Sequence, residues 1–534
     1  MIFAQLHQTV RQAFLRAYKQ EPPRFVVEPS KHTMFGDFSS NIAMVASQTL
    51  KESPVSIAQK IVAQLESTQV FQNVSVSTPG FINVTVTGEH LSRVVEEIIR
   101  KPDAFGRSDL GKEIRVLVEF VSANPTGPLT LANGRGAFVG EAISRVLELY
   151  GCTVMREFYI NDRGGQVLSL GHSVLGDEQA EYKGKYIDEL AKRIKLKDPL
   201  SAGEKAAAII LEEMIKPTLK RVGIEFHQFF SEDSLYQTGV YKRAMELLKE
   251  KGLVYEAEGA TWLATTRFGD DKDRVLVKSS GEQTYFASDI AYHSYKIERG
   301  YHRLVNVLGA DHYGYTQQLK MIVEGVLREH YTWAGQLDWV VTQLVKLIKK
   351  GKEVKMSKRL GTYVTLDEVL DEVGPDAARF IFLSRDVNTH LDFDLDIAKS
   401  NSSQNPVFYV QYAYARISSI FRQFSKDEDF ELPERVTISH PLERRLLLKL
   451  IQFPDLIEEI AGDLQVHKLT QFVSELAVDL HKFYENLRVI GQPNEVTQSR
   501  LAILKATSLT IKKALDVIGI SAPSRMVKNQ SVER

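Results

Sequence analysis

A chain of 534 residues is too long for one hydrophobic core and divides into roughly three or four domains. The formal net charge of −1 gives no overall pull toward nucleic acid, so any grip on RNA must come from local patches. A hydrophobic fraction of 43% with a charged fraction of 25% is ordinary for a soluble globular protein, no run of about 18 apolar residues is present to span a membrane, and Cys152, the only cysteine, excludes an internal disulfide and any cysteine-rich zinc site.

In chain order, the first hundred or so residues form a small α+β unit. Ile2, Phe3, Leu6, Val10, Ala13, Phe14 and Ala17 recur at helical spacing, interrupted by polar residues, which predicts a docked amphipathic helix rather than a secretory signal. Gly36 to Leu50 shows helical spacing again, and Ser53 before Pro54 is an N-cap and first-turn pair for a helix through Leu65. Two alternating runs, VFQNVSVS and FINVTVT, read as strands separated by Pro79 and Gly80, and a helix follows from Leu91 to Arg100.

Ile114 to Val121 is a continuous β-rich run, as expected of a strand buried on both faces. A Pro- and Gly-rich loop, a helix from Asn133 to Gly151 and a strand from Thr153 to Ile160 complete a βαβ unit, hence a doubly wound parallel sheet. Residues from about 164 to 268 are helix-rich and charged and read as an insertion. Strand-like segments resume around Tyr285 and at His302 to His312, and helices dominate from Pro406 to Ile520. The predicted fold is a Rossmann-like α/β catalytic domain (109–398) with that insertion, between an N-terminal α+β domain (1–108) and a C-terminal all-α helical bundle (399–534).

The strongest local signal is SANPTGPLTLANGRGAFVG, Ser122 to Gly140. Gly134 and Gly136 open a helix, where backbone N–H groups and the positive helix end can face an anion. A dinucleotide fingerprint is an alternative, although the glycines here run G-x-G-x-x-x-G, one residue too long. Glycines serving only close helix–strand packing is another.

The run VEFVSANPTGPL, then four residues, then GRGA, resembles the first signature of class I aminoacyl-tRNA synthetases in its arginyl version. That family usually writes the four as His-x-Gly-His; here they are Thr130, Leu131, Ala132 and Asn133. Thr130 and Asn133 can donate hydrogen bonds to a triphosphate, although neither can become cationic. The departure leaves open a second reading, a non-catalytic tRNA-binding paralogue. Lys355-Met356-Ser357-Lys358 resembles the second class I signature, in which the lysines neutralise the departing pyrophosphate; the alternative for a lysine-rich run is a solvated hairpin turning at Gly351.

A guanidinium needs a carboxylate and planar hydrogen-bond partners. In TYFASDIAYH, Tyr285 and Asp289 stand at i and i+4 and would share a helix face. The resemblance implies that Asp289 pairs with the guanidinium and Tyr285 holds it, while Glu119 and Asn124 match positions that bind the α-amino end. GADHYGY resembles the segment beside the adenosine, which places Gly309, Asp311 and His312 near the nucleotide; His312 is equally readable as a structural histidine.

Downstream, DAARF, HLDFDLDIA, NPVFYVQYAYARI and SAPSRM also match the arginyl family, implying a helical anticodon-binding domain. Tyr409, Tyr412 and Tyr414 there are readable as base-stacking or as helix-packing residues. The N-terminal unit resembles the family's domain that reads the tRNA elbow, with Phe81 and Asn83 matching positions that contact a base, or else forming a half-buried strand pair. The implied enzyme uses L-arginine, ATP with Mg2+ and tRNA(Arg), with no zinc or other protein-held metal, as a cytoplasmic monomer away from membranes.

Overall fold

The computed structural model describes residues 2–30, 33–65, 70–310, 313–354, 364–425 and 430–526. Near the N-terminus, β1 (Val27–Pro29), β2 (Phe38–Ser40), β3 (Phe71–Ser77) and β4 (Phe81–Val86) form an antiparallel sheet in the order β1-β2-β4-β3. The opening helix, Ile2–Tyr18, buries Ile2, Leu6, Val10, Ala13 and Phe14, the stripe its spacing predicts. Ser53 caps the helix Pro54–Val62, its hydroxyl accepting from the Ser56 N–H at 3.3 Å. The stretch Gly36–Leu50 differs from expectation. Phe38–Ser40 pairs as β2, and the helix begins only at Ile42, because a free edge of β4 recruits the first residues into the sheet.

The central sheet contains β5 (Arg115–Glu119), β6 (Thr153–Ile160) and β7 (Gln228–Ser231). After an antiparallel three-stranded piece, β8 (Val254–Ala257), β9 (Ala260–Leu263) and β10 (Arg274–Val277), it is completed by β11 (Arg303–Gly309) and β12 (Gln336–Thr342). Its order is β12-β11-β5-β6-β7, and every pairing is parallel. The chain therefore winds outward in both directions from β5 and leaves a crevice at the carboxyl ends where the order reverses. A last small sheet has β13 (Val345–Lys349) between β14 (Lys352–Val354) and β15 (Leu391–Asp394).

Two expectations need correction. Residues 164–268 are not wholly an insertion, since β7 within them pairs with β6 as a strand of the central sheet. A four-residue strand amid charged helices is too short for periodicity to reveal. The segment at Tyr285 is a helix, Tyr285–Glu298, not a strand, because Thr284 caps it and Phe286, Ile290 and Ile297 form a buried stripe.

The C-terminal region packs the helices Pro406–Phe424, Pro441–Leu450, Phe453–Asp463, His467–Asn486 and Asn494–Val517. These helices also hold the N-terminal unit. Arg444 lies 2.5 Å from Asp37 and donates to the Val86 carbonyl at 2.6 Å. The Asp455 carboxylate accepts from the N–H groups of Ile2 at 2.8 Å and Phe3 at 3.2 Å, capping the first helix from another domain. Burial, partly offset by positive charge at the chain's amino end and by these N–H groups, pushes the Asp455 carboxyl up to about 6 from the ordinary 3.8.

The folded protein thus holds this proton more tightly than the unfolded chain. Asp455 contributes most stability below pH ~4, and ~3 kcal/mol is lost as pH rises through about 6. Thermal melts of the native protein and Asp455→Asn between pH 4.5 and 7.5 check this: the variant should gain on the native protein as pH rises. A drift of the opposite sign would show that the cap bonds outweigh burial.

Candidate active site

A cavity of about 360 Å³ opens in the crevice at the carboxyl ends of β5, β6 and β11. Glu119 ends β5, Asn124 follows in the loop, Tyr285 and Asp289 come from the helix Tyr285–Glu298, and Gly309 ends β11; all five line this one cavity. The tertiary fold thus brings together residues from three separate stretches of sequence.

The turn after β5 is strained. Val121 has φ +65° and Ser122 φ +37°, the left-handed region that a β-branched residue rarely enters, at a cost of about 1–3 kcal/mol each. Ser122 holds the turn in place: its hydroxyl donates to Glu119 Oε1 at 3.0 Å and accepts from the Tyr159 N–H at 3.1 Å. On the other side of Glu119, the fully buried Lys296 donates to Oε2 at 2.5 Å. Lys296 also donates to Asn306 Oδ1 at 2.7 Å, and the Asn306 amide nitrogen meets His293 Nε2 at 3.2 Å. His293 Nδ1 lies 2.9 Å from the Asp289 carbonyl, to which it can only donate. Burial, then the Lys296 charge, holds His293 well below the ordinary histidine range, so it is neutral with its proton on Nδ1.

Sequence reasoning missed four residues at this site. Glu232, just beyond the end of β7, is 5% exposed, and burial, then mainly Asp162, raises its carboxyl above the ordinary range. With its amide in the orientation that satisfies both sides, Asn161 donates to Glu232 Oε2 at 2.9 Å. Tyr159 lines the cavity, and burial together with Glu232, Asp289 and Glu119 pushes its phenol well up, keeping it neutral. Recognising β7 would have found Glu232, since ligands gather at strand ends. Counted from Asp289, His293 stands at i+4 and Lys296 at i+7 on one helix face, a stripe visible in the sequence.

The phosphate-turn helix runs from Leu131 to Leu149, two residues earlier than predicted, with Thr130 as its N-cap. Asn133 Oδ1 accepts from the Thr130 N–H at 2.9 Å and the Thr130 hydroxyl at 2.8 Å. Thr130 therefore spends its only hydroxyl proton inside the protein, contrary to its predicted donor role. Asn133 turns its amide nitrogen away from the cap, and that nitrogen makes no hydrogen bond among the described residues. The glycines divide. Gly134 is buried, its amide bonded to the Thr130 carbonyl at 3.2 Å, and a Cβ there would lie 2.9 Å from Leu366, so it serves packing rather than phosphate. A Cβ on Gly140 would meet Phe120 at 2.3 Å, again a packing requirement, while Gly136 faces open space.

Asp311, His312, Lys355, Met356, Ser357 and Lys358 lie outside the described residues. The chain on either side of 355–363 is held against the phosphate turn. Leu366 N–H donates to the Leu129 carbonyl at 2.8 Å, and Leu131 N–H to Val364 at 3.3 Å. Fully buried Arg135 donates to the carbonyls of Gln343 and Thr389, each at 2.8 Å, and of Asp386 at 2.9 Å, fixing the roots of β13 and β15. Away from this site, Phe81 is half-buried, and Asn83 is only 2% exposed with its amide on Ser77 Oγ at 2.9 Å. Asn83 therefore does not present its amide on the surface, because that amide is spent on Ser77 of the adjoining strand β3. Among the described residues, no group of three or more His, Cys, Asp or Glu side chains could hold a metal ion, and no helix is long and apolar enough to cross a membrane.

A parallel sheet whose crevice pairs a carboxylate-lined cavity with a phosphate-turn helix, joined to a helical C-terminal domain, defines a class I aminoacyl-tRNA synthetase. Residues 178–390 match the model of tRNA synthetases class I (R), catalytic domain; 4–86 match the arginyl tRNA synthetase N terminal domain, and 410–526 the DALR anticodon binding domain. The chain is 41% identical over 533 residues to the arginine–tRNA ligase of Citrifermentans bemidjiense, covering 95% of this chain and 96% of that one. With the arginine–tRNA ligase of Bacillus subtilis it shares 39% identity over 551 residues, 98% of each chain. Similarity to the solved arginyl-tRNA synthetase of Thermus thermophilus, with TM-score 0.80 at 22% identity over 98% of this chain and all of that one, bears on the fold. The chain belongs to the arginyl-tRNA synthetase family.

Asn133→Ala removes the acceptor that organises Thr130 together with the side-chain amide nitrogen that makes no hydrogen bond among the described residues. Pre-steady-state adenylate formation should fall at least ~10-fold, equivalent to ~1.4 kcal/mol, with tRNA affinity by filter binding unchanged. Equal losses in both measurements would remove the phosphate role.

Proposed function

We propose that this protein activates L-arginine with ATP, forming arginyl-adenylate and pyrophosphate, and passes the arginyl group to the terminal adenosine of tRNA(Arg). The observation that carries this reading is the convergence of Glu119, Asn124, Tyr285 and Asp289 on one cavity, in a chain whose full-length relatives are arginine–tRNA ligases. Asp289 receives the guanidinium, with Tyr285 against its plane, and Glu232 adds a second carboxyl behind Asn161. Glu119 and Asn124 receive the α-amino end.

The arginine carboxylate is then directed toward the first turn of the helix Leu131–Leu149. Asn133, oriented by Thr130, and the open face at Gly136 receive the phosphates. Gly309, with Asp311 and His312 beyond it, faces the adenosine. Lys355 and Lys358, with Met356 and Ser357 between them, supply the cations that stabilise the departing pyrophosphate. Mg2+ enters with ATP on the triphosphate oxygens and lowers their charge.

The C-terminal helices receive the anticodon arm and the N-terminal unit the tRNA elbow. There Phe81 offers an aromatic face, while Asn83 braces the strand through Ser77. The domains divide near 108 and 398, and the enzyme acts as a cytoplasmic monomer.

Aminoacylation of mixed tRNA with each amino acid in turn, ATP present, tests this reading. Arginine alone should be charged, and Asp289→Ala should lower kcat/KM for arginine by about 10²- to 10³-fold, the effect of removing one partner of a desolvated ion pair. Retention of tRNA on a filter without any charging would reject the ligase reading. A normal rate in Asp289→Ala would reject the guanidinium assignment.

A further inference from the structure

Lys296 is 0% exposed, and its ammonium lies 2.5 Å from the Glu119 carboxylate. Desolvating an ammonium is costly, and a methionine with a neutral residue opposite it at 119 would pack there without that cost. What the lysine provides is electrical. At the end of the cavity where Glu119 lies, one negative and one positive charge cancel.

An α-amino acid presents a zwitterionic head there, an ammonium beside a carboxylate, with no net charge. A decarboxylated amine presents the ammonium alone. We propose that Lys296 is a positioning residue for substrate specificity: by cancelling Glu119 it makes the cavity favour the zwitterionic head of an amino acid over the cationic head of the corresponding amine. This inference rests on the assignment of the cavity to arginine.

The hydrogen bonds around Lys296 keep this balance fixed. Lys296 has only donors, so Asn306 must turn its oxygen toward it and its nitrogen toward His293. That nitrogen needs an acceptor, which puts the His293 proton on Nδ1, facing the Asp289 carbonyl. His293 therefore stays neutral and adds no second cation. Ser122 occupies Oε1 of Glu119 from the other side, so the carboxylate cannot swing away from Lys296.

The test is a charge series on the full-length protein, read as the ratio of arginine affinity to agmatine affinity by equilibrium dialysis and displacement. Agmatine keeps the guanidinium and lacks the carboxylate. Lys296→Met leaves the head end negative and should shift the ratio roughly tenfold toward agmatine; Glu119→Gln leaves it positive and should shift it roughly tenfold toward arginine, as expected of one desolvated charge a few ångströms away. The double variant is neutral again and should return to the native ratio within about threefold, even where absolute affinity falls. A merely structural lysine would weaken both ligands together and leave the ratio in place.

If Lys296→Met does not fold, Glu119→Gln against the double variant decides. A shift in the first that the second reverses supports the proposal, and equal ratios in both overturn it. Asp289→Asn separates the two layers of inference. If that variant binds arginine as well as the native protein does, the cavity assignment fails. If it loses arginine while the charge series leaves the ratio unmoved, only the role of Lys296 fails.

Discussion

The ion pair between Lys296 and Glu119 is the constraint around which the catalytic crevice is arranged. It joins the middle strand of the central sheet to the helix that carries Tyr285 and Asp289, and it does so where neither charge is well hydrated. Buried pairs of this kind contribute little net stability, because desolvation offsets most of their attraction, but breaking one is severe. The pair therefore tolerates few alternative positions of that helix. Asn306 and Ser122 complete the bonding of both charged groups, so the strained turn at Val121 and Ser122 is held by the same set of contacts.

A second set of contacts organises the phosphate side. Leu129 and Leu131 share backbone bonds with 364–366, and Arg135 gathers three carbonyls from the segments that precede β13 and β15. Burial lowers the Arg135 guanidinium to about 10, with Asp386 pulling the other way, so it remains charged near neutrality. A cation with only carbonyl partners is a directional clasp rather than a salt bridge. It fixes where the chain leaves β12 relative to the first turn of the helix Leu131–Leu149.

The N-terminal unit is fastened mainly to the C-terminal helices, through Asp37 with Arg444, Ser92 with Val436, and Asp455 at the start of the first helix. The N-terminal unit and the C-terminal helices thus meet in space, although 344 to 453 residues separate the partners in sequence. Tyr409 lies tilted against His481 and Tyr412 stacks on it, and Arg416 lies 3.8 Å over Tyr484, so these aromatics already have partners within the bundle. Tyr409 is part of the packing its spacing allows, while Tyr484 remains 36% exposed.

Much was legible from residues alone, because short-range chemistry is written locally. The buried strand at Ile114, the Ser53 cap, the amphipathic first helix and the glycine-bearing turn each follow from spacing within a few residues, and the signature resemblance placed Glu119, Asn124, Tyr285 and Asp289 in one reaction. Tertiary structure decided what required knowing the neighbours. It made β7 part of the sheet, since a short strand is recognised by the strand beside it. It assigned Gly134 and Gly140 to packing, since close approach depends on Leu366 and Phe120, which lie far off in sequence. Glu232 became a site residue only when the sheet brought its helix to the crevice, and Lys296 only when Glu119 of β5 was placed against it. A charged residue in a sequence carries no mark of whether water will reach it, and that depends on the whole fold.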